Sequence, residues 1–553
     1  MRAELRGVSR RAFLALAGGS LAGALPLLRA GAARAGTAAD LLFDLEVRAG
    51  PPFSGDGAGL LTLAPGGVRG RAEAFLDFRL GRAAMIDFDV VAHRGAGEGG
   101  TGVQTIVSET QFLGRGLHTV SWQPALSDQP GTYVLRLRAT DDRGRRVEYR
   151  EAMPGRSRVN LGPVIRLIGI DAAFRQRSYA PGERATLQIA ADADGLVVEF
   201  LHCGPEPEPT YANNEMKGMP VGDPIALDWR ANSDKTTQVG MGIGSWPSGV
   251  YCARLTSADG RMGFAPFVVR PRQPDRRIAV VVPTSTWHAY NFYDRDGDGF
   301  GDSWYVSSAT RTIDLTRPHL TRGVPCRYRS YDLAFLRWLA AGGKQADFYP
   351  DDDLERFESG DQLRAAYDLV VFPGHSEYVT EHAFDVVERY RDLGGNLLFM
   401  SANNFFRRVD RGGGRLRLVG LWRDLGRPEA ALCGVQYAAS DRGKRQAPYT
   451  VTGADLAPWA FEGTGLVNGS RFGLYGIEID STTPSSPTGT QVLARIPDLL
   501  GPGRTAEMTY YESPSGARVF SAGAMNFGGQ IALWPEAQRL FENVWARLAP
   551  PGG

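Results

Sequence analysis

The chain has 553 residues, with 62 Lys and Arg against 61 Asp and Glu and a net charge of +1. At about 150 residues per domain that is too long for one hydrophobic core, so several domains are expected. The charges balance and are mixed along the chain, which excludes the basic footprint of a nucleic-acid binder and leaves nucleic acid out as a partner.

The first residues carry an address. Ser9-Arg10-Arg11-Ala12-Phe13-Leu14 precedes an apolar run to Leu28 and resembles a twin-arginine export signal. Ala33-Arg34-Ala35 offers the small residues of a signal-peptidase site, so residues 1–35 are expected to be removed and the mature chain to begin at Gly36. Gly18, Gly19 and Gly23 weaken the segment, which falls short of the ~20 strongly apolar residues of a membrane span. The expectation is a periplasmic or secreted protein with no transmembrane anchor in the mature chain. The twin-arginine route carries folded proteins, a hint of a metal or prosthetic group already in place.

Residues 36–157 and 158–272 read as two β-sandwich (Ig-like) domains. Met85–Val91 (MIDFDVV) and Thr132–Arg138 (TYVLRLR) alternate with the period of two that half-buried antiparallel strands require, and the turn cluster Gly95–Gly102 separates them. The region Val164–Arg270 repeats this texture, with Ala185–Ala190 alternating after a Tyr179-Ala180-Pro181-Gly182 turn. Gly131, Tyr133, Arg136 and Leu137 recur as Gly249, Tyr251, Arg254 and Leu255, as duplicated modules would give. Cys203, Cys252, Cys326 and Cys433 contain no CxxC pair. Cys203 and Cys252 fall in strand-like runs of one domain, consistent either with a disulfide or with free buried thiols.

After the linker Pro271–Pro274 the pattern changes to apolar runs alternating with amphipathic helices, which predicts an α/β domain with a mostly parallel sheet over residues 276–553. Its centre is Asp368–Arg408. Asp368–Phe372 reads as a buried strand, Thr380 as the cap of a helix with Ala383, Val386, Val387 and Tyr390 on its apolar face, and Asn396–Ser401 as the next strand. The loop Gly374-His375-Ser376-Glu377-Tyr378 follows the carboxyl end of a strand, where such sheets bind ligands. Tyr510–Ala522 reads as a hairpin and Trp534–Leu548 as a closing helix.

Three constellations could carry chemistry. Gly374-His375-Ser376-Glu377-Tyr378 begins like a nucleophile elbow, but Tyr378 replaces the glycine that the strained turn needs. Asp294, Asp296, Asp298, Gly299 and Asp302 are spaced like an EF-hand loop, with Tyr305 where the bidentate glutamate belongs. They read either as a degenerate Ca(2+) loop or as an Asp/Gly surface turn. Finally, Pro283–Tyr305 and the central loop both follow strand ends, so Tyr290 or Tyr305 can meet Glu377 in one crevice. Phenol ligands need a hard, highly charged cation such as ferric iron to displace their proton.

The Pro-Thr-x-Thr-Trp-x-Ala-Tyr-Asn run at Pro283–Asn291, the Gly-His-x-Glu-Tyr loop and the Gly-Gly-Asn-Leu…Asn-Asn-Phe continuation to Phe405 resemble the C-terminal domain of the N,N-dimethylformamidase large subunit, over roughly Arg276–Ala549. The resemblance implies a glutamine amidotransferase-like fold with a mononuclear Fe(3+) held by two tyrosines and a glutamate, here Tyr290, Tyr305 and Glu377. It also implies catalytic parts for His375 and Glu512. Tyr293 stands as an alternative second ligand, and Arg423 as a stand-in for a lysine near the metal. The expected activity is hydrolysis of a C–N amide bond in a small-molecule amide, by a chain free to form a homo-oligomer. The rival is an inactive exported binding or scaffold protein stabilised by calcium.

Overall fold

The computed structural model describes residues 41–93, 103–149, 163–306, 310–441 and 445–550. The expected export signal, the cleavage site, the Gly95–Gly102 turn and the domain boundary near residue 157 lie outside them.

The first module packs a three-stranded sheet (Leu42–Arg48, Ala74–Leu80, Gly116–Trp122) on a larger one ordered Leu60–Leu63, Val164–Leu167, Gly131–Asp141, Ala84–His93, Val103–Leu113. Alternate residues point inward, so Leu76, Phe78, Ile86, Val90, Leu135 and Leu137 build one core. The strand Val164–Leu167, expected to open the second module, pairs instead with Leu60–Leu63 and Gly131–Asp141 and completes the first. The second module repeats the plan with sheets ordered Ile170–Phe174, Arg184–Ala191, Thr236–Gly242 and Ser178–Tyr179, Met262–Val269, Gly249–Ser257, Gly195–His202, Met219–Asp228.

The repeated fragment has a physical counterpart in both modules. Tyr133 donates its hydroxyl to the Gln129 carbonyl at 2.5 Å, and Tyr251 to the Pro247 carbonyl at 2.9 Å, each pinning the turn that precedes its strand. Arg136 reaches across to Asp89, and Arg254 to Glu199. A buried ion pair, Arg71 to Asp192 at 2.8 Å, joins the two modules. All four cysteines are free, so Cys203 and Cys252 are buried thiols.

The rest of the chain centres on a nine-stranded sheet ordered Asp347–Pro350, Ile278–Val282, Leu369–Phe372, Asn396–Phe399, Arg518–Ser521, Ala506–Glu512, Gln491–Ile496, Gln446–Val451, Arg471–Gly476. From Asp347–Pro350 to Arg518–Ser521 the strands are parallel. Beyond that they are antiparallel. The chain is thus mostly β with few helices. The expected α/β domain with a mostly parallel, glutamine amidotransferase-like sheet is corrected to a mixed one, because the polar-apolar runs after Cys433 pair as hairpins rather than through helical crossovers. Asp351–Arg356, which follows the edge strand Asp347–Pro350, forms a short 3-10 turn. Helix Glu381–Asp392 has its expected cap, with Thr380 Oγ1 accepting from the Ala383 N–H at 3.2 Å. Pro535–Leu548 buries Leu540, Phe541, Val544 and Trp545 against the sheet.

Candidate functional site

The carboxyl ends of the parallel strands carry the candidate side chains. After Ile278–Val282 the chain turns at Pro283 into helix Thr284–Ala289, whose C-terminal cap is Tyr290. After Leu369–Phe372 it passes through Gly374, His375 and Ser376 to Glu377, and Tyr378–Val379 then pairs in parallel with Arg407–Arg408. The Glu377 N–H donates to Thr286 Oγ1 at 3.1 Å, locking the two loops together.

Side chains from three distant segments converge on Glu377, which is 1% exposed. The Tyr290 hydroxyl donates to Glu377 Oε2 at 2.9 Å, and the Tyr305 hydroxyl lies 3.3 and 3.2 Å from Oε1 and Oε2. The two phenol rings stack at 4.5 Å, and the Tyr305 hydroxyl meets that of Tyr378 at 2.5 Å. Arg407 donates from Nε to Glu377 Oε1 at 3.1 Å. His375 Nε2 stands 3.6 Å from Glu377 Oε2 and 3.8 Å from Glu478 Oε2, buried and with no hydrogen-bond partner.

Burial dominates the electrostatics. It raises the Glu377 carboxyl above its ordinary range, opposed by the Arg407 charge. Burial and then the Glu377 charge push both phenols well up. The same two causes push Glu478 up to about 8, while burial pulls His375 down to about 3. Without an ion both phenols therefore keep their protons, and the imidazole is uncharged at neutral pH. The donors are all hard oxygens, two of them phenols that a strongly charged cation would deprotonate, and an unpartnered imidazole faces them. These residues fit a ferric centre of the expected kind.

The cluster forms one wall of a cavity of about 320 Å³, lined also by Pro283, Trp287, Tyr331, Asp332, Ile477 and Met525. Few polar groups set in an apolar lining is the usual constitution of a small-molecule site.

The family profile described as N,N-dimethylformamidase beta subunit-like, C-terminal, matches residues 219–540. The chain belongs to this family. No curated protein matches it. Among solved structures, Salmonella alpha-2-macroglobulin reacted with methylamine is similar at 14% identity and a TM-score of 0.20, over 43% of this chain and 17% of that one. CBD12 from CALX1.2 is similar at 10% identity and a TM-score of 0.14, over 37% of this chain and 80% of that one. The calcium-binding domain CBD12 of CALX1.1 is similar at 12% identity and a TM-score of 0.14, over 36% and 79%.

In this member of the dimethylformamidase β-subunit-like family several expected positions fall elsewhere. Tyr293 turns away from the cluster and donates to Asp171 of the second sandwich at 3.0 Å, which leaves Tyr305 as the second phenol. Glu512 is no part of the site. It sits at the hairpin that enters Arg518–Ser521, at the opposite end of the parallel strands, and pairs with Arg547 at 2.9 Å. Arg423 pairs with Glu429. Ser376 Oγ is buried without a partner, so no base activates it as a nucleophile.

Arg407 and Glu478 carry no motif in the sequence. Arg407 follows the quoted Asn-Asn-Phe run closely enough to have been a candidate. Glu478 had no such signal, since Ile477 (φ 73) places it through a left-handed turn, and Asn403 then holds it at 2.8 Å. Asp294, Asp296 and Asp302 bring carboxylate oxygens within 4.8 Å of one another, a donor set for a hard cation. Asp298 is not in that set; its Oδ1 caps the Phe300 N–H at 2.8 Å.

Proposed function

We propose that the chain is an exported, iron-dependent hydrolase of a C–N amide bond in a small molecule. The observation that carries this reading is the meeting of Tyr290 and Tyr305 on the Glu377 carboxylate, all within 3.3 Å, beside an unpartnered His375. Family membership supports the reaction class. Export to the periplasm by the twin-arginine pathway rests on the Ser9–Leu14 motif.

In this reading Tyr290, Tyr305 and Glu377 hold Fe(3+), which supplies Lewis acidity and lowers the pKa of water at the site. The chain's own groups do the rest. Arg407 fixes the orientation of Glu377 through Nε. Glu478, pushed up to about 8, relays the proton that the departing amine must receive through the uncharged His375 Nε2, which stands between it and Glu377. Trp287, Tyr331, Ile477 and Met525 exclude bulk water and enclose the acyl or alkyl groups.

Protein purified from its own host should contain about one iron per chain and absorb visible light through phenolate-to-iron charge transfer. Tyr290→Phe and Glu377→Ala should each lose the iron and the colour while keeping the circular dichroism of the fold. A colourless, iron-free but amide-hydrolysing preparation would sink the proposal.

A second reading, a calcium-stabilised binding or scaffold protein, draws on the carboxylates of Asp294, Asp296 and Asp302. Under it, calcium should raise the melting temperature, Asp296→Ala should abolish that rise, and Glu377→Ala should leave ligand affinity intact.

A further inference from the structure

Asp332 lies in the wall of the same cavity but outside the Glu377 cluster. It links the short helix Tyr328–Tyr331 to helix Leu333–Ala341, and it is 5% exposed. Oδ2 accepts from the Trp287 indole N–H at 3.1 Å; Oδ1 has no donor. Although Asp332 occupies the N-cap position of Leu333–Ala341, its side chain makes no cap hydrogen bond, so helix capping does not account for it. Nor does a salt bridge: Arg327 also lines the cavity, yet the Asp332 carboxyl is pushed up to about 7 by burial, with the Trp287 N–H alone opposing.

The protein makes room for this carboxylate. A Cβ on Gly374 would lie 2.2 Å from Asp332 Oδ1, so the glycine before the His375 loop is what lets the acid stand there. A buried carboxylate oxygen left without a donor is unfavourable, and persists where something else supplies the donor. Trp287 and Tyr331 line the same cavity, and aromatic rings attract a cation seated over them. Pro283, Ile477 and Met525 complete an apolar surround that would seat short methylene groups.

We propose that Asp332 selects the substrate by binding a protonated amine, so that the substrate class is a small amide carrying a second, basic nitrogen. This rests on the amide-hydrolase reading for the word amide, and on Asp332 and the cavity for the cation.

The test is calorimetric titration of the purified, iron-containing protein with two matched probes, propionamide and 3-aminopropionamide, with hydrolysis of each followed separately. The amino amide should bind roughly tenfold or more tightly than the neutral one. Asp332→Asn should erase that preference while leaving propionamide affinity within about twofold. Asp332→Ser, a neutral residue suited to the N-cap, replaces the asparagine variant should that one fail to fold. Equal binding of the two probes by the wild type, binding of neither, or a preference surviving in the variant overturns the inference. A preference for the amino amide without hydrolysis of either probe refutes the hydrolase reading and leaves the cation site standing. Hydrolysis of propionamide with no preference does the reverse.

Discussion

Arg407 and Glu377 form an ion pair, Nε to Oε1 at 3.1 Å, in which the acid is fully buried and the base about one-third exposed. Arg407 is the one cation touching the cluster among the described residues, and it opposes the burial that would otherwise keep Glu377 neutral. Arg407→Met should lower the stability of the iron-free protein by about 2 kcal/mol, because one partner of a buried pair is left behind. It should also weaken iron retention. Thermal denaturation and iron content, compared with Arg407→Lys, which keeps the charge but not the fork, check both.

Gly374 packs its Cα against Asp332 and Pro283. Gly374→Ala would place a methyl 2.2 Å from Asp332 Oδ1 and 3.0 Å from Pro283 Cγ. The overpacked variant should lose about 1–3 kcal/mol. Combining it with Asp332→Ala should recover part of that loss, so a double-mutant cycle reads a coupling that independent sites would not show.

Asp171 accepts from Tyr293 at 3.0 Å and is pushed up to about 6, chiefly by burial. A carboxyl raised in the folded state favours folding below its unfolded value and loses that contribution as pH rises through the folded value. Stability should therefore fall between about pH 4 and pH 6 by up to about 3 kcal/mol through this group. Asp171→Asn removes the ionisation. Denaturation of the two proteins at about pH 4 and pH 7 should show the difference shifting toward the variant at the higher pH.

Glu512 bonds to Tyr510 and Arg547 at the far end of the sheet. Glu512→Gln should change turnover by less than about twofold and stability by at most about 1 kcal/mol, as for a surface pair. By contrast Glu478→Gln should reduce turnover by about a hundredfold or more if Glu478 relays the proton. Steady-state rates on one amide, measured side by side, separate the two acids.

Much of the architecture was legible along the chain. The period-two strands of both sandwiches, the repeated Gly-x-Tyr…Arg-Leu fragment, the Thr380 cap and the buried strand before Gly374 all depend on residues close in sequence. Such signals are local: a side chain's face follows from its place in a strand or helix. The antiparallel half of the large sheet was misread because short apolar runs look alike whether a hairpin or a helix connects them.

The site divides the same way. A glutamate following the carboxyl end of a buried parallel strand is a position that pattern and topology define, and Glu377 occupies it. Which tyrosine joins it was undecidable locally, since Tyr293 and Tyr305 share one loop and only the contact with Asp171, 122 positions away from Tyr293, draws the former off. Tyr305 and Tyr290 reach Glu377 across 72 and 87 positions, and Arg407 and Glu478 arrive from strands with no motif of their own. Pattern along the chain determined the elements and the loop that holds the acid; packing between elements decided its partners, because hydrogen bonds of about 3 Å between remote residues depend on how whole sheets and loops settle against each other.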